Sequence, residues 1–261
     1  MKNLLNLALH CGSHQATVDQ VYDVKTPKPT ESWCPIGHDE LISSVIDTLG
    51  RGGLKVINEA HALWNEGNRY FGSFQMENGT ASKDYALVVG LRNSHDKSFP
   101  AGLACGAGVF VCDNLSFTGE VTLARRHTVN IRRDLPRLIQ AAVGRLGSLK
   151  VKQEERIAAY KERNVTDVEA HDVLVRAVDA GCLPVTRLPS VLAQWRKPEH
   201  VEFAPRTAWS LFNGFTGVYK QIGAAMALAQ RTVPLHGLFD QLAGLRVMEE
   251  QFEDAEIVVR G

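Results

Sequence analysis

The sequence predicts an α+β fold, in which one helix precedes an antiparallel meander sheet of about five strands and a mainly helical C-terminal half follows. Three observations predict it. Residues 38–49 have apolar side chains at helical spacing, residues 54–124 alternate polar and apolar positions between turn signals, and residues 138–163 form a charged stretch without proline. A helix, then strands, then helices is the order typical of the α+β class.

The first helix is predicted at His38–Leu49. Its apolar residues recur three and four positions apart, as expected for one buried face of a helix. Gly50, Gly52 and Gly53 follow at once, and glycine is the usual residue just beyond a helix end.

The meander is predicted from short apolar runs separated by turn residues. The turns are Asn65-Glu66-Gly67-Asn68 and Asn78-Gly79, and a longer polar loop covers 92–102. Successive strands joined by short turns pair antiparallel. The five predicted strands are Leu54–Trp64, Tyr70–Met76, Tyr85–Leu91, Leu103–Cys112 and Phe117–Ala124.

The C-terminal half is predicted to be helical from about residue 138 onward. Thr166 followed three residues later by Glu169 is the signature of a capping box, which marks a helix start. The predicted helices are Leu138–Arg163 (one helix, or two joined near Gly144–Gly147), Thr166–Ala180, Leu188–Trp195, Thr207–Gln230 and Leu238–Gln251, with a tail strand at Glu256–Arg260.

Residues 1–37 are predicted to be an extended N-terminal arm, because Pro27 and Pro29 exclude a helix interior there. Residues 38–261 are expected to form a single α+β domain, sheet-rich over 38–128 and helical over 129–261. No apolar run reaches the roughly 18 residues of a membrane span, and five cysteines, an odd number, do not suggest a disulfide framework. These features favour a cytoplasmic protein, and no cofactor is predicted.

Three strings in the sequence resemble a known family: VVGLRNSHDKSFPAG, VFVCDNLSF and RTAWSLFNGFTG. The Pro-x-Pro-Thr…Trp…Pro-Ile-x-His pattern at Pro27–His38 also fits. The family is the phage- and plasmid-related domain of unknown function 932 (DUF932), and the resemblance extends from about Pro27 to Tyr219. It implies a context of replication, recombination or interference with host defence, without a settled activity. The outline of a meander sheet backed by a long helix is also similar to phage single-strand annealing proteins, an architectural likeness that does not fix function.

A basic segment follows the last predicted strand. The chain carries no net charge, yet this segment has five arginines and one acid, Asp134. Arginine binds phosphate with a planar, two-pronged fork, so the segment predicts a phosphate-backbone site; the alternative is that the arginines pair with acids such as Glu154 or Glu155. The predicted ligands are Arg125, Arg126, His127, Arg132, Arg133 and Arg137.

The polar loop between the third and fourth predicted strands is a second candidate. Arg92, Asn93 and Lys97 could bind a phosphate there, and Asn114 could donate to the same ligand from the following turn. The simpler interpretation is that polar loop side chains cap their own turns.

Two further chemistries are open. A hydrolase could use His95 or Cys112, although neighbouring strand residues point to opposite faces and a buried cysteine usually behaves as a small hydrophobe. A zinc site could use Cys11, His14, Cys34 and His38, which have suitable ligand types and local spacing.

The sequence therefore favours a non-enzymatic mobile-element protein that binds nucleic acid, with single-stranded DNA preferred, in annealing, recombination or replication. The alternative is a phage- or plasmid-encoded inhibitor or modulator of a host protein. Self-association is open in either case, because Thr207–Gln230 is apolar enough for a core or a subunit interface.

Overall fold

The computed structural model describes residues 4–77, 85–109, 114–222 and 225–245. It confirms the α+β class. One six-stranded antiparallel sheet has the strand order β1-β2-β3-β4-β5-β6, which is a simple meander. The strands are β1 Gln15–Ala16, β2 Val56–Trp64, β3 Arg69–Met76, β4 Tyr85–Ser94, β5 Ala101–Val109 and β6 Asn114–Arg125.

Seven α-helices are described, and most of them follow the sheet. They are α1 Val18–Tyr22, α2 His38–Arg51, α3 Ile131–Glu162, α4 Asp167–Asp179, α5 Leu188–Arg196, α6 Ala208–Ile222 and α7 Ala225–Leu242. The predicted capping box is confirmed at α4, where the Thr166 hydroxyl accepts from the Glu169 backbone and the Glu169 side chain accepts from Thr166. The predicted tail strand at 256–260 lies outside the described residues.

Helix α3 is longer than predicted and is one continuous element. It begins at Ile131, runs through Pro136 and passes the glycines at 144 and 147 without a break. Pro136 is the sixth residue of the helix and cannot donate to the Arg132 carbonyl, so burial of Ile131, Leu135 and Ile139 in the core holds this part of the helix. The glycines stay helical because the opposite face of the helix is buried through Val143, Leu146 and Leu149.

The predicted helix at 207–230 is two helices, α6 and α7, and α7 extends to Leu242 through Pro234. The predicted strands at 54–64, 70–76 and 85–91 match β2, β3 and β4 closely. The turn between β2 and β3 has positive φ at Asn65, Glu66 and Gly67, the left-handed backbone that such turns require.

The N-terminal segment lies on the domain. Residues 7–22 contain two short 3-10 turns, the two-residue strand β1 and the short helix α1. Strand β1 pairs with β2 through Gln15 and Ala16. The backbone N–H of Leu5 donates to Gln75 Oε1 at 2.9 Å, and Leu7 and Cys11 are buried. The predicted extended conformation therefore applies to the proline-containing stretch 23–37 and not to this first part.

Both faces of the sheet are covered. Successive β4 residues alternate between two cores: Val88 packs with helices α4 to α7, whereas Leu87 and Val89 pack with α2 and the first half of α3. Strand side chains alternate between faces with a period of two, so this division follows directly from β geometry. Helix α3 takes part in both cores, through Ile139 in the second and Ile157 in the first.

No helix in the described part of the chain is both long and apolar enough to cross a bilayer.

Candidate nucleic-acid interface

The two predicted site segments meet at the stretch between Trp33 and His38. From the end of β4, His95 donates through Nε2 to the Ile36 carbonyl at 2.9 Å. From the end of β6, His127 accepts through Nδ1 from the Ile36 N–H at 3.3 Å, and its carbonyl accepts from the Cys34 N–H at 3.0 Å. One short stretch of backbone therefore holds the ends of β4 and β6 together.

Three histidines lie in this junction, and hydrogen bonds fix the tautomer of each. His38 donates from Nε2 to the Gly67 carbonyl at 2.9 Å and accepts at Nδ1 from Asn93 Nδ2 at 3.0 Å. A carbonyl can only accept, so Nε2 carries the proton in His38 and in His95. His127 accepts at Nδ1, which places its proton on Nε2.

Burial keeps all three imidazoles neutral. Desolvation lowers the pKa of His38 to about 4, and repulsion from His95 adds to the effect. Desolvation likewise lowers the pKa of His127 to about 4 and lowers that of His95. A protonated imidazole here would stand close to its neighbours in an environment with little water, so the cluster is neutral at physiological pH.

Two residues of the predicted binding set, Asn93 and His127, are buried in this junction. Asn93 is fully buried and donates to the Ile36 carbonyl at 2.8 Å as well as to His38. His127 is 6% exposed. Neither side chain reaches the surface, because both are used to fix the stretch between Trp33 and His38.

The remaining residues of the polar loop lie nearer to solvent. Arg92 is half-buried, its guanidinium lies 5.7 Å from the centroid of the Phe99 ring, and burial lowers its pKa. Lys97 is exposed and has φ +65°, with Nζ 5.1 Å from the centroid of the Trp33 ring. Lys97 is therefore the member of this loop best placed to meet a ligand.

The arginine segment is partly neutralised within the protein. Arg125 Nη2 and Arg133 Nε both bind Asp134, at 2.6 and 2.8 Å, and Arg132 Nη1 binds Glu40 at 2.6 Å. The anticipated partners Glu154 and Glu155 are not used by these three. Asp134 lies in the first turn of α3, where a carboxylate also interacts favourably with the helix dipole.

A basic surface nevertheless remains on the solvent side of α3. Arg137 and Arg145 are exposed, and no acid among the described residues pairs with either. The side chain of Arg133 is 73% exposed despite its contact with Asp134, and Arg126 is also exposed. We call Arg133, Arg137 and Arg145, with the exposed residues between them, the α3 basic surface.

Asn114 does not belong to this surface. It opens β6 at the opposite end of that strand, is 3% exposed, and donates from Nδ2 to the Asn213 carbonyl at 3.1 Å. The VFVCDNLSF and RTAWSLFNGFTG strings therefore meet at Asn114 and Asn213, far along the chain from each other. No spacing signal in the sequence points to this contact.

The zinc hypothesis is not supported by the geometry. Within the described ranges, no group of three or more His, Cys, Asp or Glu side chains is arranged to hold a metal ion. Cys11 is buried in the apolar core and its pKa is raised to about 11 by desolvation, and both ring nitrogens of His38 have other partners. Cys11, His14, Cys34 and His38 thus do not form one site.

His95, one of the two residues suggested for hydrolysis, forms no relay with the polar residues on either side of it. Ser94 Oγ donates to the Phe99 carbonyl at 2.7 Å, while His95 is bound to Ile36. Asp96 accepts from Arg69 Nε at 2.6 Å and from Asn65 at 2.9 Å. Cys112 lies outside the described residues.

Fold and site together define an α+β protein with a helix-covered meander sheet and a basic surface on its longest helix. The chain belongs to the family described as Domain of unknown function (DUF932), which matches residues 29–237. No curated protein and no solved structure matches the chain.

Proposed function

We propose that the protein binds nucleic acid, and single-stranded DNA in particular, through the α3 basic surface, in annealing, recombination or replication of a mobile element. The observation that carries the proposal is a local charge excess in a neutral chain. Between residues 125 and 152 there is one acid, Asp134, among eight basic residues: Arg125, Arg126, Arg132, Arg133, Arg137, Arg145, Lys150 and Lys152. Phosphate neutralisation by such residues supplies most of sequence-independent binding.

The spacing of the exposed arginines suits a polyanion. At about 1.5 Å per residue, Arg133 and Arg137 are ~6 Å apart along the helix axis and Arg145 lies ~12 Å further on. That length of ~18 Å corresponds to about five nucleotides at ~3.4 Å per residue of one strand. The surface is therefore long enough to contact several successive phosphates.

The side chains on the helix face between the arginines are small. Ala141, Gly144, Gly147 and Ser148 are all exposed on this side of α3, and a Cβ added at either glycine would meet nothing within 4 Å. Small residues leave the backbone of a ligand room to approach the helix while the flanking guanidinium groups reach its phosphates. The preference for a single strand over a duplex follows from the resemblance to annealing proteins.

The test is a fluorescence anisotropy titration with a labelled oligonucleotide and the matching duplex, at about 50 mM salt, where phosphate contacts are strongest. Binding of the single strand that weakens with added salt supports the proposal. Absence of binding to either form at low salt contradicts it. Tighter binding of the duplex would support nucleic-acid binding by the α3 basic surface but would identify double-stranded DNA as the ligand.

A second function, inhibition or modulation of a host protein, is favoured by one feature of α4. Val168 and Val175 lie two turns apart on the same face of this helix and are 78% and 54% exposed. Exposed apolar side chains at that spacing suit a helix-mediated contact. The test is capture of a host protein by the wild type. This function is supported over the first if capture is lost in Val168→Glu/Val175→Glu and retained in Arg137→Glu/Arg145→Glu.

A further inference from the structure

A polar cleft lies between α5, the segment that follows it, and α6, and Asn114 from β6 also lines it. It involves none of the residues of the α3 basic surface. Its wall has one acid, Glu199, and one lysine, Lys220, and most of its other polar groups are carboxamides. A site with balanced charge and many neutral hydrogen-bonding groups suits an uncharged polar ligand better than a phosphate.

The inner end of the cleft presents a hydrogen-bond acceptor that the protein does not use. Asn114 Nδ2 donates to the Asn213 carbonyl at 3.1 Å and to Asn213 Oδ1 at 3.3 Å, which fixes the orientation of the amide. Asn114 Oδ1 is then buried and has no hydrogen-bond partner. A buried unpaired acceptor is unfavourable, and a ligand donor that reaches it removes the penalty.

Two glycines of α6 line the cleft, Gly217 next to that acceptor and Gly214 next to α5. A Cβ added at Gly217 would lie 3.9 Å from Asn114 Oδ1, and one added at Gly214 would lie 3.5 Å from Gln194 Cβ. Both are ordinary contact distances, so packing does not require glycine at either position. Glycine weakens a helix interior relative to alanine, and its use twice in one turn keeps this part of the cleft open.

Aromatic and carboxamide groups lie around the same space. His200 and Phe203 both line the cleft with ring centroids 6.0 Å apart in an edge-to-face arrangement, and Gln194 lies on the α5 side. Aromatic rings next to amide groups are the usual surroundings of an unstacked nucleobase, which is stacked on the rings and hydrogen-bonded at its edge.

We propose that this cleft binds a nucleobase that carries an exocyclic amino group, with that amine donating to Asn114 Oδ1. Adenine and cytosine present an amine at the edge where thymine and uracil present a carbonyl oxygen. A carbonyl facing Asn114 Oδ1 would set two acceptors against each other, so the cleft discriminates against thymine and uracil. The proposal does not depend on DNA binding at the α3 basic surface.

Free nucleosides test the proposal, because they lack phosphates and gain nothing from arginine. Saturation-transfer NMR with the full chain should detect adenosine and cytidine, with thymidine at least about tenfold weaker, as expected for one hydrogen-bonded edge. Gly217→Ala should weaken adenosine binding and Gly217→Leu should abolish it. Gly50→Leu, an exposed helical glycine with no atom within 4 Å of an added Cβ, is the matched control and should leave binding unchanged.

Three results would overturn the proposal: no nucleoside binding at millimolar concentration, thymidine binding as tight as adenosine binding, or adenosine binding that survives in a folded Gly217→Leu protein. Circular dichroism of each variant establishes folding. If Gly217→Leu does not fold, Gly217→Ala and Gln194→Ala decide the question, since both should reduce adenosine affinity. If the protein binds nucleosides but not oligonucleotides, the proposed function is contradicted, whereas the proposal that the cleft binds a nucleobase is supported.

Discussion

The imidazole rings of His38 and His95 are stacked, with centroids 4.0 Å apart and an angle of 2° between the ring planes. His38 begins α2 and His95 follows β4 directly, so this stacked pair joins the first helix to the end of a central strand. Both rings are buried, so a proton on either is disfavoured by desolvation, and protons on both would repel each other. The junction that holds residues 33–38 is therefore sensitive to acid.

Stability is predicted to fall as the pH falls from about 6.5 to about 4. Burial lowers the pKa of His38 and of His127 to about 4 in the folded protein, whereas an unfolded chain has histidine pKa values near 6.5. The unfolded state therefore binds more protons in this window, and the loss amounts to roughly 3 kcal/mol for each of the two residues by about pH 4.

Urea denaturation at a series of pH values measures this loss. In His127→Gln the slope of unfolding free energy against pH should be smaller, by up to about 1.4 kcal/mol per pH unit, because one titrating group is removed. Gln140→Ala, at an exposed position on α3, removes no titrating group and should keep the wild-type slope. An unchanged slope in His127→Gln would show that this residue does not titrate on unfolding.

Loss of the Asp240 charge is predicted to destabilise the protein by about 3–5 kcal/mol, because the buried Arg156 guanidinium then loses its carboxylate partner. Asp240 joins α7 to α3: Arg156 binds both of its oxygens, at 2.9 and 3.1 Å, and the Tyr160 hydroxyl donates to Oδ1 at 2.6 Å. Chemical denaturation of Asp240→Asn measures the effect. The control is Glu40→Gln, which breaks an exposed pair with Arg132 and should cost less than about 1 kcal/mol.

Two glycine substitutions are predicted to have opposite signs. A Cβ at Gly72 in β3 would lie 2.8 Å from Tyr70 Cζ and 2.9 Å from Phe74 Cε2, two fully buried rings. Gly72→Ala should therefore destabilise the protein by about 1–3 kcal/mol. Gly50→Ala, in open space near the end of α2, should stabilise it by up to about 1 kcal/mol. Thermal melting of the two variants measures both effects. Equal changes in melting temperature for Gly72→Ala and Gly50→Ala would contradict the packing described for β3.

Much of the fold is predictable from the sequence because its signals are local. The turn at Asn65–Asn68 and the capping box at Thr166 are set by a few adjacent residues, and both are confirmed. Strand β1 was missed because two residues show no periodicity. The start of α3 was placed too late because Pro136 normally marks a helix boundary, and here tertiary packing of Ile131 and Leu135 overrides that preference.

The site was less predictable because its contacts are distant in sequence. The pairing of Arg132 with Glu40, like that of Asn114 with Asn213, joins residues more than 90 positions apart. The excess of positive charge after β6 is evident from the sequence. The sequence does not show which of these arginines form ion pairs with acids of the same protein. Arg145 was overlooked because it lies beyond the densest part of the basic segment, and only the helical geometry of α3 places it on the same side as Arg137.

The salt dependence of oligonucleotide binding tests the central claim most directly. For single-stranded DNA the slope of log K against log salt is about −0.7 per phosphate neutralised, so Arg137→Gln/Arg145→Gln should reduce its magnitude by about 1.4 relative to the wild type. Arg187→Gln/Arg196→Gln removes the same charge from exposed positions at the two ends of α5 and should leave the slope unchanged. Equal slopes in all three proteins would contradict binding of nucleic acid by the α3 basic surface.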